Sequence, residues 1–225
     1  MISEAEHIQD YSPIKRTSFF GVYGNAKTYT SLVYLLLTFP LGIAFFVYAI
    51  TGFSVSLGLI FTFVGIFLVY IFLWSLPRIM NIMGLLTDWL VGIKMPEKVY
   101  KPYYEGTLLR KALNSLGDSR IWKTLLYFLF PAMPFGIAAF TIVVTLLSVS
   151  LGAISFPIVY VVEIFRGNYF EWVYFVFDNW APTWLKFVLL ILIPIVGFFL
   201  LTATLHLTNT LALAHGRMVR GILIR

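Results

Sequence analysis

The last apolar block of the sequence carries a polar stripe that could do chemistry inside a membrane, Thr202, His206 and Asn209. Steps of four and three residues place these side chains on one face of a helix. A titratable imidazole at membrane depth is typical of proton-transfer and ligand sites. The same residue types also form ordinary hydrogen bonds between membrane helices. The stripe therefore predicts either a functional site or a packing contact.

A second candidate lies in residues 163–184, where charged and aromatic side chains follow a long apolar block. These residues are Glu163, Arg166, Glu171, Trp172, Asp178 and Trp180. Their mixture predicts a ligand or peptide surface outside the membrane. The alternative is an amphipathic re-entrant cap that shields the membrane helices. The segment has no counterpart in the first half of the chain.

No other pattern in the sequence predicts catalysis, metal binding or a cofactor. The histidines are His7, His206 and His215, which are too scattered for a recognised ligand spacing. The chain has no cysteine, which excludes thiolate metal sites and cysteine nucleophiles. It also has no phosphate-binding glycine loop and no familiar hydrolase motif. We therefore predict a protein that is not an enzyme and needs no metal or cofactor.

The composition places the chain among membrane proteins. It is 60% hydrophobic and 12% charged, about half the charged fraction of a soluble domain. The apolar residues form blocks of about twenty, the length that crosses a bilayer as a helix. The net charge of +6 does not indicate nucleic acid, because the basic residues flank the apolar blocks. We predict an all-α membrane protein with four transmembrane helices and the lipid bilayer as its surroundings.

An internal repeat organises these blocks. Residues 40–60 and 134–154 share twelve identities at a constant offset of 94 residues. The motif positions are Pro40, Gly42, Ser54, Ser56 and Gly58 in the first copy and Pro134, Gly136, Ser148, Ser150 and Gly152 in the second. We interpret the repeat as a duplicated transmembrane hairpin, with both hairpins entering from the same side. In the first copy, the Ser-Val-Ser-Leu-Gly segment predicts a tight turn or a very short link at the far side of the membrane, since serine and glycine favour turns.

These features divide the chain into five predicted segments. They are a cytoplasmic arm (1–29), a first hairpin (30–76), an amphipathic helix with a basic loop (77–123), a second hairpin (124–207) with the outer insert 163–184, and a basic cytoplasmic tail (208–225).

The region between the hairpins begins where the second span is expected to end, at Pro77. Residues 78–93 have helical apolar spacing, which predicts an amphipathic helix either on the inner membrane surface or packed against the spans. Asp118 is expected to cap the helix that follows it.

The distribution of basic residues predicts the orientation in the cell membrane. Fourteen Lys and Arg lie in the arm, the central region and the tail, whereas only Arg166 and Lys186 lie on the other side. Since cytoplasmic segments carry the excess of basic residues, both termini are predicted to be cytoplasmic.

Several segments resemble one known family. The PLGIAFF and PFGIAAF hairpins, the segment DSRIWKTLLY (118–127), FPIVY (156–160) and the basic tail are similar to the four-span sensor domain of prokaryotic sensor histidine kinases. The resemblance covers most of residues 25–222. It implies a sensor module of a two-component system, here without the kinase core. His206 and His215 are accordingly not expected to be phosphoacceptors.

We therefore predict a non-enzymatic membrane module for sensing and signal transduction. It would act through a separate signalling protein or membrane complex, or as a homodimer. The alternatives are, in order, an accessory subunit of a membrane complex and a small transporter or channel. A membrane-embedded enzyme is the least favoured class, because the apolar blocks contain no cluster of catalytic residues.

Overall fold

The computed structural model describes residues 18–59, 61–95, 107, 110, 114–166 and 182–224. A short 3-10 helix (Phe19–Val22) precedes the longer helices. These are α1 (Ala26–Gly58), α2 (Phe63–Val91), α3 (Ser119–Leu129), α4 (Ala132–Arg166) and α5 (Thr183–Ile224).

The fold is all-helical, as predicted, and the described residues contain no strand. Four segments are long and apolar enough to cross a membrane, namely Ala26–Gly58, Val64–Val91, Ser119–Val162 and Trp184–Leu223. The chain is therefore a multi-pass membrane protein. Most of the predicted arm, the basic loop and the outer insert lies outside the described residues.

The chain divides into two compact units. The first comprises Met1–Phe140 and Thr208–Arg225, and the second comprises Thr141–Leu207. The second unit contains a close helix contact at Gly197 of α5. A Cβ there would lie 3.0 Å from the Ser150 carbonyl oxygen and 2.8 Å from the Ala153 methyl carbon of α4.

In the first unit, α1 and α2 form an antiparallel hairpin. The Thr30 hydroxyl donates to the Leu90 carbonyl at 2.7 Å near one end. The hydroxyls of Tyr48 and Ser75 meet farther along the hairpin. The chain reverses after Leu59, and Thr62 caps α2 by accepting from the Gly65 amide at 3.0 Å. The two helices therefore run in opposite directions.

The α2 helix does not end at Pro77, where the second span was expected to end. It continues to Val91, and Gly92 then stops it with a left-handed φ of 78°. Met80, Met83 and Val91 are buried. This packing supports the helix through the proline, which removes one backbone donor. The amphipathic segment is therefore the second half of α2, and its buried face matches the alternative of a helix packed against the other spans.

The serine-rich end of the repeat is helical in both copies, so the prediction of a turn at 54–58 is wrong. Ser54, Ser56 and Gly58 belong to the last turns of α1, while Ser148, Ser150 and Gly152 lie inside α4. The Ser150 hydroxyl donates to the Leu146 carbonyl one turn earlier. Serine in a membrane helix can satisfy its hydroxyl in this way, and therefore need not form a turn.

The other end of the repeat forms a reciprocal contact. A Cβ on Gly42 of α1 would lie 2.6 Å from the Ala132 carbonyl oxygen of α4. A Cβ on Gly136 of α4 would lie 2.7 Å from the Thr38 carbonyl oxygen of α1. Gly42 and Gly136 are equivalent at the 94-residue offset, and so are Thr38 and Ala132. The two glycines thus bring the two backbones together at equivalent positions.

The α3 helix begins where the sequence predicted. Asp118 accepts a hydrogen bond from the Arg120 amide at 2.9 Å, which confirms it as the helix cap. Ile121, Leu125 and Phe128 form the buried face of α3, and the Phe128 ring stacks on Phe45 of α1 with centroids 4.7 Å apart.

Candidate functional site

A buried histidine of α5 lies at the centre of the first unit. His215 is 1% exposed. Its Nδ1 lies 2.7 Å from the Tyr34 hydroxyl and its Nε2 lies 2.8 Å from the Tyr127 hydroxyl. The Phe135 ring stacks on the imidazole with centroids 4.5 Å apart and planes 15° apart. Both ring nitrogens and one ring face are therefore held by protein groups.

Each of the five helices contributes one side chain to this arrangement, which we name the His215 cluster. Its members are Tyr34 of α1, Thr87 of α2, Tyr127 of α3, Phe135 of α4 and His215 of α5. Thr87 joins through Tyr34, whose hydroxyl lies 3.0 Å from the Thr87 hydroxyl. The helical segments of the first unit thus share one hydrogen-bonded and stacked centre.

The hydrogen bonds of the cluster assign a direction to each proton. The Thr87 hydroxyl donates to the Met83 carbonyl at 2.8 Å, so its proton is used. The Tyr34 hydroxyl must then donate to Thr87, which leaves it to accept from His215 Nδ1–H. In a neutral imidazole the other nitrogen is an acceptor. Tyr127 therefore donates to Nε2, and His215 is assigned as the neutral Nδ1–H tautomer.

The backbone of α5 fits closely against α2 beside the cluster. A Cβ on Gly216 would lie 2.9 Å from the Thr87 side-chain methyl carbon, and it would also collide with Ile93. Glycine at 216 thus allows α5 to approach α2 next to His215. A larger residue there would separate the elements that hold the hydrogen bonds.

The chemistry of the cluster suits coupling between helices better than a reaction. Its hydroxyls and imidazole bond to one another, with no carboxylate in the set. Throughout the part of the chain that the structure describes, no group of three His, Cys, Asp or Glu could hold a metal ion. A buried and fully satisfied polar network fixes one arrangement of its helices, because each broken bond leaves a polar group unpaired.

A second polar contact joins α1 and α5 two turns from His215. Asn209 donates from its side-chain amide to the Thr28 hydroxyl at 3.0 Å. Like Tyr34 and His215, this pair joins residues of α1 and α5 that are 181 positions apart in the sequence. The Ser31 hydroxyl oxygen and the Asn209 amide oxygen are buried without a protein partner. The contact between α1 and α5 around Thr28 and Asn209 is therefore polar, but not all of its buried polar atoms are hydrogen-bonded within the protein.

The three residues of the predicted stripe all lie on α5. Thr202 is buried and donates to the Phe198 carbonyl at 2.9 Å within its own helix. His206 is half-buried. Both belong to the second unit, whereas Asn209 belongs to the first and bonds to Thr28. Asn209 thus bonds to α1, and the role of the stripe as a functional site stays a prediction.

The predicted outer surface is only partly described. Arg166 is exposed at the end of α4, and Glu163 lies in the same helix, with its side chain outside the described residues. Glu171, Trp172, Asp178 and Trp180 lie outside the described residues. Their role as a ligand surface stays a prediction.

His215 was assigned no role from the sequence, because it lies in a basic segment that was interpreted as a cytoplasmic tail. The structure continues α5 through this segment to Ile224. A usable signal was the helical series Thr208, Ala212, His215 and Val219, all of them buried. A series of small and polar residues with steps of three and four indicates a helix face that packs against other helices.

Comparison with known proteins supports the family expected from the sequence. The family model described as "Putative sensor" matches residues 34–223, which include the whole His215 cluster. No curated protein and no solved structure matches the chain. Because the family model covers most of the sequence, the chain belongs to this sensor family.

Proposed function

We propose that this chain is a non-enzymatic membrane sensor module that signals through a partner protein. The observation that carries the proposal is the His215 cluster, in which five helices share one buried centre. A stimulus that moves one helix must break or rearrange bonds made by the others. The cluster therefore has the connectivity that a sensor needs to turn a local change into a shift of the whole unit.

The proposed mechanism is an equilibrium between two arrangements of the helices. In one, the hydrogen bonds are those described, with Tyr34 and Tyr127 both bonded to His215. In the other, at least one tyrosine has left the imidazole, and its helix has moved with it. A ligand or membrane condition shifts the equilibrium only if it favours one arrangement over the other.

We further propose that the basic side of the protein faces the cytoplasm and that the signal leaves through the region 78–123, whose part after Val91 follows the membrane-spanning α2. The positive-inside rule supports this orientation: with Arg78 set aside as part of α2, thirteen Lys and Arg lie on this side, against Arg166 and Lys186 on the other. The reciprocal contact at Gly42 and Gly136 supports the interpretation of the sequence repeat as two related halves. A kinase that lacks its own sensor would be a partner of the expected kind in a two-component system.

The experiment that tests the function is purification of the tagged native chain in mild detergent, with quantitative mass spectrometry of the complex. We expect one separate signalling protein, whose autophosphorylation in proteoliposomes depends on the chain. The matched variants are Tyr127→Phe, which breaks the cluster, and Tyr48→Phe, which removes a hydroxyl that bonds to Ser75 outside it. Only the first should change the partner's activity.

Two results would contradict the sensor function. Fixed amounts of several membrane subunits, with no signalling protein among them, would identify an accessory subunit. Transport of a solute by the pure chain in proteoliposomes would identify a transporter or channel.

A further inference from the structure

One face of α2 is exposed along its whole length and carries a charge at its midpoint. The exposed residues on this face include Phe67, Ile71, Arg78, Ile82, Leu85 and Trp89. Their steps of three, four and seven residues form a continuous helical stripe. Apolar exposure alone is normal for a membrane helix, because lipid covers it. Arg78 is the member of the stripe that lipid chains do not suit.

Arg78 is distinguished by its depth in the helix. It lies 15 residues from Phe63 and 13 residues from Val91, the ends of α2. At 1.5 Å per residue it is about 20 Å from either end. Among the described helices, it is the only Lys, Arg, Asp or Glu that lies more than ten residues from both ends of its helix. The hydrocarbon core is about 30 Å thick, so a centred α2 puts Arg78 about 15 Å from either headgroup layer.

The guanidinium group is held in place by an aromatic ring. Its central carbon lies 3.1 Å from the ring centroid of Trp74, one turn earlier in α2. A cation over an indole face is stabilised, but it keeps its charge and its hydrogen-bond donors. The other acidic or basic residue of α2, Asp88, is ten residues away, or about 15 Å along the helix, and is too far to pair with it.

We propose that this stripe docks a transmembrane helix of the partner protein, and that the partner presents a carboxylate to Arg78. The proposal rests on the proposed function and names the chemistry of the partner. A carboxylate neutralises the guanidinium and can accept two of its hydrogen bonds. A second copy of this chain, paired through the same face, would bring two arginines together. Charge complementarity therefore selects a different chain with an acidic residue.

A defined probe tests this pairing. The full chain, in zwitterionic liposomes, is mixed with a synthetic Leu/Ala transmembrane peptide that carries one central Glu, or Gln at the same position. The chain has no cysteine, so Gly221→Cys, where a Cβ has no neighbour within 4 Å, provides one labelling site for energy transfer to the peptide. We expect the Glu peptide to bind about tenfold more tightly than the Gln peptide, in the range of polar contacts between membrane helices.

Two variants show whether Arg78 is responsible. Arg78→Gln should abolish the preference for the Glu peptide. Lys27→Gln, which removes an exposed cation at the start of α1, should retain it. Equal binding of the two peptides to the unchanged protein would overturn the proposal, and so would a preference that survives in Arg78→Gln.

The depth of Arg78 gives a second, independent test. A nitroxide on Ile82→Cys, one turn from Arg78 on the same stripe, should report a position inside the hydrocarbon core. The proposal is overturned if the nitroxide lies at the headgroups, phosphatidylglycerol binding depends on Arg78, and the chain shows no preference for the Glu peptide. These results would assign Arg78 to a lipid phosphate. If the Tyr127→Phe result holds while the peptide preference fails, the docking surface is wrong and the sensor function stands.

Discussion

Replacing Tyr34 with phenylalanine is expected to leave the Nδ1–H group of His215 without its acceptor, while the proton stays on Nδ1. In the native cluster, Tyr34 accepts from Nδ1–H, because its own proton is committed to Thr87. Without that hydroxyl, Nδ1–H loses its acceptor, whereas the Tyr127 hydroxyl still donates to Nε2 at 2.8 Å. A move of the proton to Nε2 would make Tyr127 the acceptor and leave its own proton unpaired, so it would gain no hydrogen bond, and the Nδ1–H tautomer should stay. In Tyr127→Phe, Nε2 loses its donor while Nδ1–H keeps its bond to Tyr34.

The two variants should lose similar stability, although Tyr34→Phe leaves a donor of His215 unpaired and Tyr127→Phe leaves an acceptor unpaired. Each leaves one buried ring nitrogen without its partner, which typically costs about 1–3 kcal/mol. The two substitutions share one imidazole, so their effects should not add in the double variant. Thermal unfolding in detergent measures the loss, with Tyr48→Phe as a control outside the cluster.

Nitrogen-15 NMR of the imidazole measures the tautomer directly. The signals of His215 are assigned as those lost in His215→Gln, which separates them from His7 and His206. We expect Nδ1–H in the unchanged protein and in both tyrosine variants, with the signal of the Nδ1 proton moved upfield in Tyr34→Phe, where it loses its acceptor, and little changed in Tyr127→Phe. An Nε2–H tautomer in the unchanged protein, or an Nδ1 proton signal that moves only in Tyr127→Phe, would refute the assigned direction of the hydrogen bonds.

Contacts outside the cluster lead to three further predictions. Gly42→Ala and Gly136→Ala should each lower stability by about 1–3 kcal/mol, because the added methyl group would overpack against a backbone carbonyl. Gly152→Ala is the control, since a Cβ there has no neighbour within 4 Å. Equal melting temperatures of all three variants would contradict the close approach of the two helices. Ser31→Ala should leave the melting temperature unchanged or raise it, because it removes a buried hydroxyl without a protein partner. A clear loss of stability would show that this hydroxyl is hydrogen-bonded. A single cysteine at Lys94 should react with an impermeant maleimide only from the cytoplasmic side, and one at Thr62 only from the other side. The reverse pattern would contradict the predicted orientation.

Sequence patterns predicted the fold class because apolar blocks of about twenty residues match the length of a membrane-crossing helix. The role of Asp118 as a helix cap could also be predicted, because a capping side chain bonds to a backbone amide only two or three residues away. The end of α2 was not predicted. Pro77 usually stops a helix in water, but the buried face around Met80 and Met83 continues α2 beyond it. The serine-rich segments were misjudged for a related reason, because a helix carbonyl such as that of Leu146 can satisfy a serine.

The His215 cluster could not be predicted because its members come from five helices that are distant in the sequence. Tyr34 and His215 are 181 positions apart, and no local spacing links them. The basic residues near His215 also predicted a solvated tail. The only sequence signal for the buried face of α5 is the spacing of three and four residues from Thr208 to Val219. The repeat showed that Gly42 and Gly136 are equivalent positions in the sequence. It did not show that each glycine packs against the helix that carries the other.

The sensor mechanism is tested most directly by the activity of the co-purified partner, measured in proteoliposomes with the unchanged chain and with Tyr127→Phe. We predict that the partner's autophosphorylation changes with the variant while the complex stays intact. The same complex with Tyr48→Phe should behave as the unchanged protein does. Identical activity with all three chains would show that the His215 cluster does not transmit a signal, and would contradict the proposed mechanism.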